Sequence, residues 1–304
     1  MEGVLLINKP AGMTSHDCVA KMRRIAKTKK VGHTGTLDPD VTGVLPVCLG
    51  RATKIVEYLT AASKTYEAEV TLGFSTTTED ASGAVVEKKK VDTIITKKDA
   101  EEALQALTGE IDQVPPMYSA VKIGGKKLYE YARAGQTIER PKRKITIHEM
   151  TILSDIETKG DTVSFRFKVQ CSKGTYVRTL AVMIGEQLGY PAHMSHLIRT
   201  ASGPFLIDQC HTFEEIEKMA DESRLQDILI PISTALNHLP KLSINDTLAK
   251  KVKNGAVLEV PAGFEHDAAE DSIAVYDEQG TCLAIYKQHP EKPHFLKPSK
   301  VLVI

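Results

Sequence analysis

Apolar and polar positions along this chain repeat with two different periods. Residues 4–7, VLLI, form a short continuous apolar run, which predicts a buried strand ended by Lys9-Pro10-Ala11-Gly12. Thr14 or Ser15 can cap a following helix whose inner face is Val19, Met22, Ile25 and Ala26. Residues 51–62 read as a second helix. Residues 64–73 alternate with period two and put Tyr66, Ala68, Val70 and Leu72 on one strand face. Residues 74–83 read as a polar loop. Residues 97–107 return to a helical pattern, with Ala100, Ala103, Leu104 and Leu107 inward and Gly109 as the stop. Residues 145–153 and 162–171 read as paired strands. In the second, Val163, Phe165, Phe167, Val169 and Cys171 alternate with Ser164, Arg166, Lys168 and Gln170. A helix is expected to start near Thr175.

The pattern changes around residues 232–239. Beyond it come a helix at 245–253, stopped by Gly255, and short strands at 257–260, 273–276, 282–286 and 301–304. A small β-rich module is thus expected at the end of the chain. A chain of 304 residues with 42% hydrophobic and 26% charged residues can bury such a core.

One stretch stands apart from this periodicity: residues 31–50, VGHTGTLDPDVTGVLPVCLG. His33, Thr34, Thr36, Asp38 and Asp40 lie among glycines and run into an apolar strand. A polar loop at the edge of an apolar segment is where a scaffold presents chemistry. Pro39 pushes the backbone of Asp38 into extended geometry, so that carboxylate sits on a stiff dipeptide. The five cysteines are widely spaced without a C-x-x-C, which indicates reduced thiols and neither a disulfide framework nor a zinc site. The first residues lack the charge order and apolar length of a secretory leader, and no apolar run is long enough to span a membrane, so a cytoplasmic protein is expected. Formal net charge is zero, so an anionic polymer would have to be met by local patches. Two runs qualify: residues 21–30, and Arg140-Pro141-Lys142-Arg143-Lys144. Acidic residues concentrate in 214–227 and 265–278. Without Trp and with 5% aromatics, the chain is no aromatic-rich platform for single strands.

The string GHTGTLDPDVTGVLPVCLG closely resembles the catalytic motif of the TruB family, bacterial tRNA pseudouridine synthases that isomerise uridine 55 in the T-loop. Further strings follow in that family's order: KPAGMTS at the N-terminus, KTY before the alternating strand, Thr76, Thr78, Asp80 and Gly83 in the polar loop, QVPPMYSAVK, CSKGTYVRTL and AHMSHLIRT. Many relatives carry two arginines in the last string; here Ile198 stands in place of the first.

The resemblance implies an α+β pseudouridine synthase fold with a central, mainly antiparallel sheet over 1–236. It also implies a hinged basic insertion at about 120–145 and a PUA-like RNA-binding domain over 237–304. It makes Asp38 the nucleophile, Tyr66 a residue stacking on the target base, and Arg178 the partner of the aspartate. His33 would fill the stack vacated by the flipped base, and Leu197 would pack under the target uracil. Lys9, Asp80, Lys142, Arg143 and Lys144 complete the expected substrate and RNA contacts. The partner is the T-stem-loop of tRNA, and the protein is expected to act as a monomer. Neither a metal nor a nucleotide cofactor is needed, because breaking the N-glycosidic bond and rejoining the uracil through C5 involves no redox step. Asp38 attacks the sugar, attacks the base or abstracts the C2′ proton; the sequence leaves all three open. Two rival readings are a metal-dependent hydrolase using His33, Asp38 and Asp40, for which a third ligand is not evident, and an RNA chaperone without catalysis, against which Asp38, Tyr66 and Arg178 argue.

Overall fold

A computed structural model describes residues 1–261, 264 and 272–303, which form two compact units interleaved along the chain. The first contains Met1–Pro39, Leu45–Ala61 and the described part of Asp208–Ile304; the second contains Asp40–Val44 and Ala62–Ile207.

In the first unit, the strand Gly3–Lys9 is almost wholly buried, as its continuous apolar run requires. It bridges to Ile230 through Val4 and to His211 through Ile7. The helix Ser15–Ile25 starts at a capping box: Thr14 accepts from the Asp17 amide, and the Asp17 carboxylate accepts from the Thr14 amide at 2.9 Å. Cys18, Val19 and Met22 then meet Leu5, Ile7, Val31, Leu45, Val47, Leu49, Phe213 and Ile216 in one core. The exposed side carries Arg23, Arg24, Lys27, Lys29 and Lys30. Val31–His33 is a strand hidden inside the motif; it pairs antiparallel with the strand Thr42–Leu49, Val31 opposite Leu49 and His33 opposite Val47.

The C-terminal part of this unit is β-rich. Its five-stranded sheet runs Lys241–Ser243, Ile273–Tyr276, Cys282–Gln288, Phe295–Val301, Leu258–Glu259, over a core that includes Leu242, Val252, Val275, Leu283, Tyr286 and Leu296. The helix expected at 245–253 is Asp246–Lys253, with Asn245 as its cap. The strand expected at 301–304 is instead Phe295–Val301. Pro298 lies where the ladder with Cys282–Gln288 shifts register, and a proline at an irregularity obscures the strand period. Ile304, and residues 265–271 of the acidic stretch at 265–278, lie outside the described residues.

The second unit is built on a sheet in the order Ala192–Ser202, Lys64–Leu72, Thr162–Cys171, Arg143–Ile152, Gly109–Gln113, with every neighbouring pair antiparallel. The first residues of Thr42–Leu49 add the parallel pairing, Ile198 with Thr42 and Arg199 with Gly43. Gly43 has φ +107, and a Cβ there would meet the Arg199 carbonyl oxygen at 2.2 Å, so no other residue lets these backbones approach. The helices Lys97–Ala106 and Val177–Leu188 belong to this unit. The predicted loop at 74–83 opens with a strand, Phe74–Thr76, paired to Val85–Lys88. In the first unit, the helix expected at 51–62 is a 3-10 turn, Gly50–Ile55, followed by a short α-helix, Val56–Thr60. The hydroxyl of Thr53 takes the Gly50 carbonyl and competes with the α ladder.

Candidate active site

The Asp38 loop is clamped on both sides of the aspartate. On one side the Leu37 amide donates to Ser15 Oγ at 2.9 Å. On the other, the Pro39 carbonyl accepts from Lys9 Nζ at 2.8 Å and from the Gly12 amide at 3.0 Å. Asp38 itself is half-buried, whereas Asp40 is exposed. The Asp-Pro stiffness expected from sequence is thereby reinforced by three tertiary hydrogen bonds, and a carboxylate on such a loop needs little reorganisation to act.

Lys9 is fully buried, and Nζ donates to the carbonyls of Pro10, Met13 and Pro39. A lysine taken out of water keeps its charge only if oxygens surround it, and here they come from the turn after the first strand and from the Asp38 loop. Its ammonium therefore ties the turn after the first strand to the Asp38 loop. His33 is half-buried; its Nδ1 accepts from the Gly35 amide at 3.3 Å, and its ring meets His16 edge-on at 5.5 Å.

In the second unit, Tyr66, Ala68, Leu197 and Arg199 share one sheet face, Tyr66 opposite Arg199 and Ala68 opposite Leu197. Tyr66 remains half-exposed, while Leu197 and Arg199 are buried. An aromatic ring with an apolar neighbour one register step away can hold a planar base. Arg199 is 1% exposed, and its Nε donates to the Val44 carbonyl at 2.8 Å. Its burial was not foreseen; the only sequence signal was an arginine at an inward position of an alternating strand.

Arg178 lies in the first turn of Val177–Leu188, where a cation opposes the helix dipole and needs acceptors. It is 5% exposed. Nη1 donates to the Thr78 carbonyl and Nη2 to the Tyr118 carbonyl, both at 3.0 Å, and Nη1 lies 4.0 Å from Asp80 Oδ2. Asp80 in turn is oriented by Thr78 Oγ1 and Ser82 Oγ, each donating to Oδ1 at 2.6 Å. The structure thus joins two expected site residues, Arg178 and Asp80, and adds the carbonyl of Tyr118, a residue of the QVPPMYSAVK string. The start of the same helix is tied to Gln113, which donates to the Tyr176 carbonyl and accepts from its amide.

The basic run expected to meet phosphate is open at its end. Lys142, Arg143 and Lys144 are exposed, with Lys144 3.9 Å from Glu110 on the paired strand. Arg140 is used internally, donating to the Pro115 carbonyl. Among the described residues, no three His, Cys, Asp or Glu side chains are grouped so as to hold a metal ion, and no helix is long and apolar enough to cross a membrane.

Residues 23–177 match the TruB family pseudouridylate synthase (N terminal domain), and residues 178–237 match the tRNA pseudouridylate synthase B C-terminal domain. The tRNA pseudouridine synthase B of Bacillus subtilis (strain 168) is 64% identical over 303 residues, spanning 100% of this chain and 98% of that protein. The protein of the same name from Bacillus anthracis is 61% identical over 304 residues, with 100% and 98% covered. Among solved structures, the chain resembles the crystal structure of a Cbf5-Nop10-Gar1 complex with a TM-score of 0.75 and 31% identity, covering 99% of this chain and 85% of that one.

Proposed function

This chain belongs to the TruB family of pseudouridylate synthases, and on that footing we propose that it isomerises uridine 55 in the T-loop of tRNA, with Asp38 as the nucleophile. The observation that carries the reading is the identity of 64% across the whole chain to a tRNA pseudouridine synthase B. The clamped loop around Asp38 supports the role of that residue.

The product is an isomer of the substrate. The C1′–N1 bond breaks, a C1′–C5 bond forms, and the C5 proton is lost while N1 gains one. One carboxylate suffices to start this, and an aspartate of ordinary pKa, ~3.9, is already ionised at neutral pH. Asp38 attacks the sugar, attacks the base or takes the C2′ proton. The family resemblance makes Arg178 the partner of that aspartate, a role to which a planar guanidinium is suited. Tyr66 stacks on the uracil with Leu197 beneath it, and Tyr66 is placed to assist removal of the C5 proton. A target base inside a folded loop must leave its stack first, and His33 fills the vacancy. Lys142, Arg143 and Lys144 supply phosphate contacts, and the β-rich C-terminal module, PUA-like in this reading, positions the tRNA.

The test is incubation of the purified chain with an unmodified tRNA transcript, followed by site-by-site mapping of pseudouridine. Conversion confined to position 55 is expected. Product at other positions with none at 55 would overturn the assigned site.

A further inference from the structure

Glu79 has a backbone φ of +65, in the left-handed region. For an L side chain that region is costly, and glycine or asparagine would occupy it more cheaply. Strain that persists at one residue points to something its side chain does there. The side chain is half-buried, and Oε2 accepts from Thr179 Oγ1 at 2.5 Å. Thr179 follows Arg178 in the first turn of the helix Val177–Leu188.

The preceding residue of the turn grips that helix independently. The Thr78 carbonyl accepts from Arg178 Nη1, so two consecutive turn residues bind two consecutive helix residues. Successive helix residues point about 100° apart, so the two attachments resist rotation of the helix start as well as translation. The turn is anchored on its other side to the Leu197 strand, where the Glu79 carbonyl accepts from the Met194 amide at 3.0 Å and Asp80 bridges to Met194. Thr76 Oγ1 closes the turn on the Asp80 carbonyl at 2.6 Å. Gly83 permits it, since a Cβ there would lie 2.4 Å from Thr78 Oγ1.

We propose that Glu79 is a positioning residue for the pseudouridylation step, acting through Thr179 to fix the start of the helix and hence the direction of the Arg178 guanidinium. The proposal rests on the reading of Arg178 as the group that orients the reacting aspartate. It explains why a left-handed turn position carries a glutamate: the carboxylate reaches a hydroxyl that neither glycine nor asparagine could reach. Glu79 touches no reacting atom in this scheme. Its contribution is the pre-set geometry of its neighbour, which misplacement on the order of 1 Å would degrade.

The experiment measures single-turnover rate, tRNA affinity and thermal melting on the full chain for wild type, Glu79→Gly, Glu79→Gln, Thr179→Val, the double variant Glu79→Gly/Thr179→Val, and Arg178→Ala. Glu79→Gly relieves the backbone strain, so it is expected to melt at or above the wild-type temperature while reacting ~10-fold more slowly with affinity within ~2-fold. Glu79→Gln keeps an acceptor oxygen and recovers most of the lost rate. Thr179→Val repeats the loss seen for Glu79→Gly, and the double variant is no slower than either single one, because all three remove one interaction. A wild-type rate for Glu79→Gly beside an inactive Arg178→Ala overturns the role of Glu79 alone. Losses that simply add in the double variant also overturn it. A wild-type rate for Arg178→Ala overturns the underlying reading of Arg178, and the proposal with it.

Discussion

The ammonium of Lys9 lies 2.8 Å from the carbonyl of Pro39, the residue that follows Asp38. A lysine at the end of the first strand thus holds the loop that carries Asp38, thirty positions further along the chain. Lys9→Met keeps the apolar stem and removes the donor from three carbonyls. Urea unfolding should show a loss of about 1–3 kcal/mol, the usual cost of stranding buried acceptors. Single-turnover rate should fall while tRNA affinity changes little. A variant that keeps its stability and loses only affinity would return Lys9 to the RNA-contact role expected from its motif.

Asp38→Asn preserves shape and removes the charge. It is expected to bind tRNA with near wild-type affinity and to form no pseudouridine, as read by product mapping after long incubation. Substantial product would take the nucleophile role away from Asp38.

Arg178→Lys retains the charge and loses the planar fork. Two of its donors are already engaged by the Thr78 and Tyr118 carbonyls, which fixes the plane of the guanidinium. A lysine cannot reproduce that frame. A rate loss of ~100-fold, about 2.7 kcal/mol of transition-state stabilisation, is expected with a much smaller change in affinity. Turnover of Arg178→Lys at the wild-type rate would show that direction is unimportant there.

Lys142, Arg143 and Lys144 are exposed, and the ion pair of Lys144 with Glu110 at 3.9 Å is too solvated to hold the side chain back. Replacing all three with alanine should flatten the dependence of log affinity on log salt, by ~0.7–0.9 for each phosphate that is no longer neutralised. An unchanged slope in binding titrations across roughly 50 to 200 mM salt would mean that the run faces solvent.

Lys64 is buried at 6% exposure, and burial pushes its pKa down to about 8 from 10.5, with Arg199 and Lys173 adding repulsion and Cys171 opposing them. The folded chain therefore holds this proton less tightly than the unfolded one. Its contribution to stability is present in full above the unfolded value and is lost as pH falls through about 8. Lys64→Met, which cannot titrate, should be the more stable protein at pH 7, by up to about 3 kcal/mol. That advantage should shrink steadily from about pH 8 to about pH 10 in urea titrations. A difference that does not vary with pH would place the ammonium in water.

By itself, the sequence was enough for features set by local chemistry. Period-two alternation in Thr162–Cys171 and Lys64–Leu72, a helix cap at Thr14 or Ser15 and the stop after Lys253 depend on neighbours a few residues apart, and each is found, the cap at Thr14. The ordered motif strings carried the family for the same reason, since they are contiguous. Tertiary structure alone decided what required distant segments to meet. That Lys9 donates to its own loop follows from where Pro39 comes to rest. That Arg178 would be framed by Thr78, Tyr118 and Asp80 follows from three segments converging on one helix start. The glycine required at position 43 arises from backbones pressed together by the sheet. A pattern of residue types records which side chains are apolar or charged, but the partner that satisfies a buried charge is chosen only when the chain closes on itself.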